Sequence, residues 1–201
     1  MPPVPLFDIL KGMEEQKKEY RPDPGLNEKL LKKRTLFISG EIDKDKADQF
    51  AREILSLDYE SSDAIHVYIN SPGGDVDAGF AIYDMIRFVN SPVTVIGMGL
   101  VASAAALIFL SVPAERRLAL PDSTYLIHQP LSKMSGVAVD VEIYAGKIEE
   151  LRHKLDRVIA EATGQDIAKV EKDTERDCWM SAEEAREYGM LSRIVSSISE
   201  L

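Results

Sequence analysis

The stretch Val93-Thr-Val-Ile-Gly-Met-Gly-Leu-Val-Ala-Ser103-Ala-Ala-Ala-Leu-Ile-Phe-Leu110 decides the fold class. Its first half is β-branched and reads as a buried strand over Val93–Met98. After Gly99 the residues turn small and helix-favouring, so a helix is expected near Ala102–Val112. From Phe88 to Ala114 there is no charge, which makes the segment long enough to test as a membrane span. Pro92, Gly97 and Gly99 interrupt it, and a buried strand leading into a buried helix accounts for it better. The alternation extends in both directions. Strands are expected at Leu36–Ser39 and Ile65–Ile69, helices near Lys44–Leu57 and Val76–Val89, and two further strands at Arg117–Leu120 and Tyr125–His128. Strands alternating with helices predict βαβ-like units with right-handed connections in an α/β domain.

The 201 residues suit one domain, and 45% apolar with 29% charged residues is an ordinary globular composition. A formal net charge of −10 with no basic stripe argues against a nucleic-acid surface. Cys178 stands alone, so neither an internal disulfide nor a cysteine zinc site is available, which fits a reducing compartment. Residues 1–33 carry five prolines and a mixed-charge run at 14–19, and read as an arm ahead of a domain at 34–201. The N-terminus lacks the basic and apolar regions of a secretory signal.

Beyond His128 a long helix is expected. Val141, Tyr144, Ile148, Leu151, Leu155, Val158 and Ala162 follow three- and four-residue steps and place an apolar stripe on one face. That stripe suits packing against a neighbouring subunit as well as against the chain's own core. Ser181-Ala-Glu-Glu184 is a capping box opening a short helix that ends at Gly189.

Histidine is the natural base near neutral pH, and there are three. His153 falls on the solvated face of the long helix, and His66 alternates within a strand toward a surface. His128 ends an apolar strand and leads into Gln129-Pro130, where functional side chains are often placed. Ser103 sits on a strand-to-helix turn among small neighbours, at the positive end of a helix dipole. Asn70-Ser-Pro-Gly-Gly-Asp75 follows a strand and opens a helix, and its adjacent glycines allow backbone N–H groups to point outward, as an oxyanion hole requires. Each also has a plain reading: a core histidine, a helix N-cap serine, a turn. The Gly-x-Ser-x-Gly pattern is absent, because alanines flank Ser103.

Taken together, Ile69-Asn-Ser-Pro-Gly-Gly74, Gly99-Leu-Val-Ala-Ser103, Ile127-His-Gln-Pro130, Glu175-Arg-Asp177 and Met180-Ser-Ala-Glu-Glu-Ala185 resemble the ATP-dependent Clp protease proteolytic subunit, in order and at family spacing, from about Arg34 to Val195. The resemblance implies a crotonase-like α/β fold of repeated β-β-α-type units, with a strand and helix at about 133–163 protruding as a handle. It implies Ser103 as nucleophile, His128 as base and Asp177 as its partner, with Asp177 selected over Asp173 by that spacing alone. Backbone N–H groups of Gly74 and Ala104 would hold the oxyanion. Tyr68, Phe88, Leu118 and Leu120 would dock the ATPase. The expected assembly is two stacked seven-subunit rings, homo- or hetero-oligomeric, fed with unfolded polypeptides by an AAA+ Clp ATPase hexamer. The expected location is the cytoplasm, with no membrane or nucleic-acid partner. No metal or organic cofactor is expected, since ATP belongs to the partner.

The sequence departs from the family in places. Ala104 stands where methionine usually follows the nucleophile. Ser132 and Lys133 replace common glycines, His66 and Leu118 replace frequent aromatics, and residues 1–33 do not reproduce the usual axial loop. Two other readings remain open: a ring subunit whose triad is unaligned and whose role is structural or regulatory, and a CoA-thioester enzyme on the same core that would rely on glutamates.

Overall fold

The structure, a computed structural model, describes residues 24–201; most of the arm expected at 1–33 lies outside the described residues. A helix, α1 (Pro24–Lys32), precedes the first strand, β1 (Thr35–Ser39). Then follow α2 (Lys44–Glu60), β2 (Ile65–Ser71), α3 (Val76–Phe88) and β3 (Val93–Ala102). β1, β2 and β3 pair in parallel, as the alternation predicts. Their inward residues Ile38, Ile65, Val67, Ile69 and Val95 are completely buried, and α2 and α3 cover them with Ile54 and Ile82. Asp43 and Asp75 cap these two helices by accepting from the N–H groups of Lys46 and Ala78.

β3 runs past its expected end at Met98 as far as Ala102, and this extension organises the site. Its first part pairs with β4 (Arg117–Ala119), which in turn pairs with β7 (Arg193–Ile194). Its last part, Leu100–Ala102, leaves that layer and pairs in parallel with β5 (Thr124–Ile127), which pairs antiparallel with β6 (Cys178–Ser181). The break is built locally. Gly99 adopts φ +58, and a side chain there would meet the Asn70 carboxamide at 2.7 Å. The Asn70 Oδ1 atom accepts the N–H of Leu100. A second tier of short pairings results, running through Ile42↔Gly74, Ser71↔Val101, Ala102↔Leu126 and Ile127↔Cys178. The tier consists of one isolated bridge, the ends of β2 and β3, and the separate strands β5 and β6, so the expected β-β-α repeat is present only in abbreviated form.

The uncharged segment 88–114 becomes β3 and a six-residue buried helix, α4 (Ala104–Phe109). Among the described residues no helix is long and apolar enough to cross a membrane. α4 is shorter than expected because the chain stays extended through Ala102 and turns at Ser103.

The long helix is α5 (Ala138–Thr163). The strand expected ahead of it is not formed: residues 129–137 have no regular structure. The stripe also divides in two. Val141 and Tyr144 are exposed, as are Val139 and Ile143 beside the stripe, whereas Leu155 is buried with Phe80 and Leu107, and Leu151 packs against them. Of the two partners open to the stripe, a neighbouring subunit or the chain's own core, Leu151 and Leu155 take the core. α6 (Ile167–Thr174) and α7 (Ala182–Tyr188) follow, and α7 opens with the expected capping box and ends at Gly189 in the left-handed region.

One buried charge holds the C-terminal part together. Arg117 is 3% exposed, and its guanidinium donates to the carbonyls of Ala162, Gly189 and Met190, at the ends of α5 and α7. Helix C-termini carry partial negative charge, so these carbonyls stand in for a counter-ion.

Candidate active site

The second tier delivers three side chains to one point. Ser103 follows the last residue of β3, His128 follows the last residue of β5, and Asp177 precedes the first residue of β6. The parallel register Ala102↔Leu126 and the antiparallel register Ile127↔Cys178 bring all three ends together. Ser103 Oγ lies 2.8 Å from His128 Nε2, and His128 Nδ1 lies 3.0 Å from Asp177 Oδ1. With Nδ1 donating to the carboxylate, Nε2 is free to accept the serine proton.

The serine turn is strained. Ser103 has φ +57 and ψ −122, conformations that cost a non-glycine residue on the order of 1–3 kcal/mol. Its N–H donates to Leu126 O at 2.9 Å, which fixes the turn against β5. Although Ser103 occupies the N-cap position of α4, its hydroxyl makes no capping bond and faces His128 instead. The plain reading as a helix cap is thereby set aside.

Of the two candidate acids, Asp173 is engaged elsewhere. Its Oδ2 accepts from Lys169 Nζ at 2.7 Å and from the Tyr188 hydroxyl at 2.9 Å. Burial alone would raise its pKa, but these bonds hold the carboxyl below its ordinary value. Asp177 is open to water, its side chain 59% exposed against 14% for His128, so its field on the imidazole is partly screened.

The loop 70–75 lies against the serine. A Cβ at Gly73 would fall 2.7 Å from Ser103 Cβ and 3.0 Å from the Ala104 nitrogen. The Gly73 N–H is taken by Ser71 Oγ and its carbonyl by the Ile42 N–H. The Gly74 N–H takes no part in these bonds. Ala104 is the first residue of α4, where N–H groups have no intrahelical acceptor. An apolar cavity opens beside Ser103, walled by Val76, Leu107, Ile127, Pro130, Leu155 and Ile159. The sequence assigned no part in the site to Leu155 or Ile159, and it read Gly73 only as one of an adjacent pair that frees backbone N–H groups, not as the residue packed against the serine turn.

The other candidates separate. Leu118 is 2% exposed, packed with Ile96 and Val195, and presents no surface to a partner; Tyr68 and Leu120 flank that cluster, partly buried. Phe88 is exposed and lies outside it, whereas Phe37, which the sequence reading missed, is exposed and stacks on Tyr68 at 5.2 Å. Burial, with Asp173 adding to it, pushes the Cys178 thiol up, away from a reactive thiolate. His153 lies on the solvated face as expected, near Glu149 and Glu171. Together with Asp156, His153 and Glu171 come close enough to share a cation, but Arg152 already faces the Asp156 carboxylate at 3.9 Å and would repel one.

Residues 23–198 match the family described as Clp protease. The chain is 48% identical to ATP-dependent Clp protease proteolytic subunit 2 of Treponema denticola, over 94% of each chain. It is 45% identical to subunit 3 of Rhizobium meliloti, over 94% of this chain and 96% of that one. A solved structure of a ClpP1 mutant from Listeria monocytogenes superimposes with a TM-score of 0.81 at 41% identity, covering 87% of this chain and 98% of the other. Match and fold agree over nearly every described residue, and this chain belongs to the Clp protease family.

Proposed function

We propose that the chain is a serine endopeptidase subunit in which Ser103 Oγ attacks the scissile carbonyl. His128 takes the serine proton and returns it to the leaving amine, while Asp177 holds the imidazole's orientation and offsets its developing charge. The N–H groups of Gly74 and Ala104 stabilise the oxyanion, a contribution of roughly 10²–10³ in rate per donor. The apolar wall beside Ser103 lies where the substrate residue next to the scissile bond would pack. The observation that carries this reading is the unbroken line of hydrogen bonds Ser103–His128–Asp177 in a chain of the Clp protease family.

The wider assembly belongs to the same proposal: two stacked seven-membered rings, an AAA+ Clp ATPase hexamer delivering unfolded polypeptides, and a cytoplasmic location, with no cofactor of the chain's own. The exposed apolar residues on the first half of α5 support a contact between rings. Phe37 and Tyr68, with Leu120, offer an apolar surface for the ATPase. A regulatory subunit with an unaligned triad is disfavoured by the serine–histidine distance.

A fluorophosphonate probe, which reacts only with an activated serine, tests the proposal. Wild type labels and cleaves fluorogenic peptides, and Ser103→Ala does neither while keeping its melting temperature, because the hydroxyl makes no capping bond. An unlabelled wild type, or an active Ser103→Ala variant, refutes the reading.

A further inference from the structure

We infer that Asp156, on α5 and outside the triad, is a positioning residue for it, an inference that rests on the triad assignment above. Asp156 is 1% exposed, and its Oδ1 accepts a 2.7 Å hydrogen bond from the Thr174 hydroxyl. Thr174 ends α6 and is itself fully buried. Its carbonyl accepts the N–H of Gln129 at 2.7 Å, and the next carbonyl, Glu175 O, accepts from Gln129 Nε2 at 2.7 Å.

Gln129 follows His128, and Asp177 lies shortly beyond Thr174 in the chain. These bonds therefore close a ring: His128 to Gln129, across to Thr174 and Glu175, along the chain to Asp177, and back to His128 Nδ1. The distance between base and acid is set on one side by the Ile127↔Cys178 pair and on the other by where the end of α6 sits relative to Gln129. Within that ring, Asp156 is the side chain from a third element that holds Thr174, and it anchors the ring to α5. A carboxylate acceptor gives a shorter and stronger bond than a neutral one. The Thr174 hydroxyl also lies 3.0 Å from Val170 O, a second acceptor within its own helix. Without Asp156 the hydroxyl turns to Val170 and stays satisfied, so the fold survives while α6 loses its fixed position against α5.

Misplacement of reacting groups by about 1 Å costs on the order of 10² in rate. Asp156→Ala and Thr174→Val are expected to lower kcat on a fluorogenic peptide at least tenfold, with little change in KM, and to slow fluorophosphonate acylation in parallel. Asp156→Asn, which keeps an oxygen acceptor for Thr174, retains most of the activity. The double variant Asp156→Ala/Thr174→Val is no slower than the slower single variant, because both break one contact. Sedimentation velocity and melting temperature accompany each assay. The double variant removes carboxylate and hydroxyl together and leaves neither buried without a partner, so it keeps the test decisive if a single variant fails to fold: wild-type kcat in it would overturn the inference. Wild-type kcat in Thr174→Val, additive losses in the double variant, or loss in Asp156→Asn equal to that in Asp156→Ala would overturn the inference. Ser103→Ala, assayed alongside, separates the two levels: if it is active, the triad reading fails; if it is dead while Thr174→Val is unimpaired, only the role of Asp156 fails.

Discussion

A single methyl group at Gly73 is expected to silence the site. The added Cβ would stand 2.7 Å from both Ser103 Cβ and Ala102 O, with the Ala104 nitrogen at 3.0 Å. Carbon atoms rest about 3.5–4.0 Å apart, so the loop or the serine turn must give by roughly 1 Å. Neither neighbour is the far end of a flexible chain; both belong to the turn that aims the nucleophile. Gly73 also has φ +91, a conformation in which a side chain costs about 1–2 kcal/mol of stability. Gly164, the C-cap of α5, has φ +74 and open space around it, so Gly164→Ala measures that backbone cost alone. Steady-state hydrolysis of a fluorogenic peptide, together with thermal unfolding, separates the two effects. Gly164→Ala should lose about 1–2 kcal/mol with unchanged kcat. Gly73→Ala should lose at least that and about 10² in kcat, through displaced geometry and a disturbed Gly74 amide. If Gly73→Ala keeps kcat within about twofold of wild type, the loop does not bear on the nucleophile as described.

Other expectations concern stability and assembly. Arg117→Met leaves one buried and two partly buried carbonyls without their donor, so it should cost about 2–4 kcal/mol and lower the melting temperature; a change under about 1 kcal/mol would refute the buried-cation account. Leu155→Asp buries a charge among Phe80 and Leu107 and should destabilise the subunit itself, whereas Tyr144→Asp should leave the subunit folded and weaken assembly. Sedimentation velocity with circular dichroism distinguishes these, and a folded, dissociated Leu155→Asp would reverse the assignment. Hydrogen bonds from Ser91, foremost, and Asn90 hold the Asp58 carboxyl below its ordinary value against partial desolvation. A depressed folded-state pKa gives stability above the unfolded value that is lost on acidification. The deficit of Asp58→Ala at neutral pH should therefore narrow as pH falls through 3.8 and vanish once the folded carboxyl is protonated; a pH-independent deficit in urea unfolding would contradict this.

The α/β alternation was legible because short β-branched runs, buried at every second position in β1 and β2, alternate with longer amphipathic stretches. The end of β3 was not. Residues 99–102 pair with a strand beyond the main layer, and their extended shape is imposed by Asn70 and by β5, not by local propensity. The serine, histidine and acid could be found one by one, but their convergence depends on registers between strands far apart in the chain. Family spacing alone favoured Asp177 over Asp173 in the sequence; that Lys169 and Tyr188 engage Asp173 is visible only in the fold. The long stripe left its partner open for a simple reason: period reports that a face is apolar, and the same period serves Leu155 in a core and Tyr144 in water. Asp156 left no trace at all, being one acidic residue among many on a charged helix.

The antiparallel pairing of β5 with β6 also fixes when the site comes into being. Thr124 must find Ser181, with the whole of α5 and α6 spelled out between them. Contacts that close so long a loop form late, and a chain made from its N-terminus lacks β6 until both of those helices have been added. On the proposed roles, a nascent chain thus carries Ser103 and His128 well before it carries the carboxylate that would orient the imidazole. Placing the acid on the far side of α5 and α6 works as a built-in delay: through all the time those helices take to be synthesised, the chain remains an incomplete hydrolase.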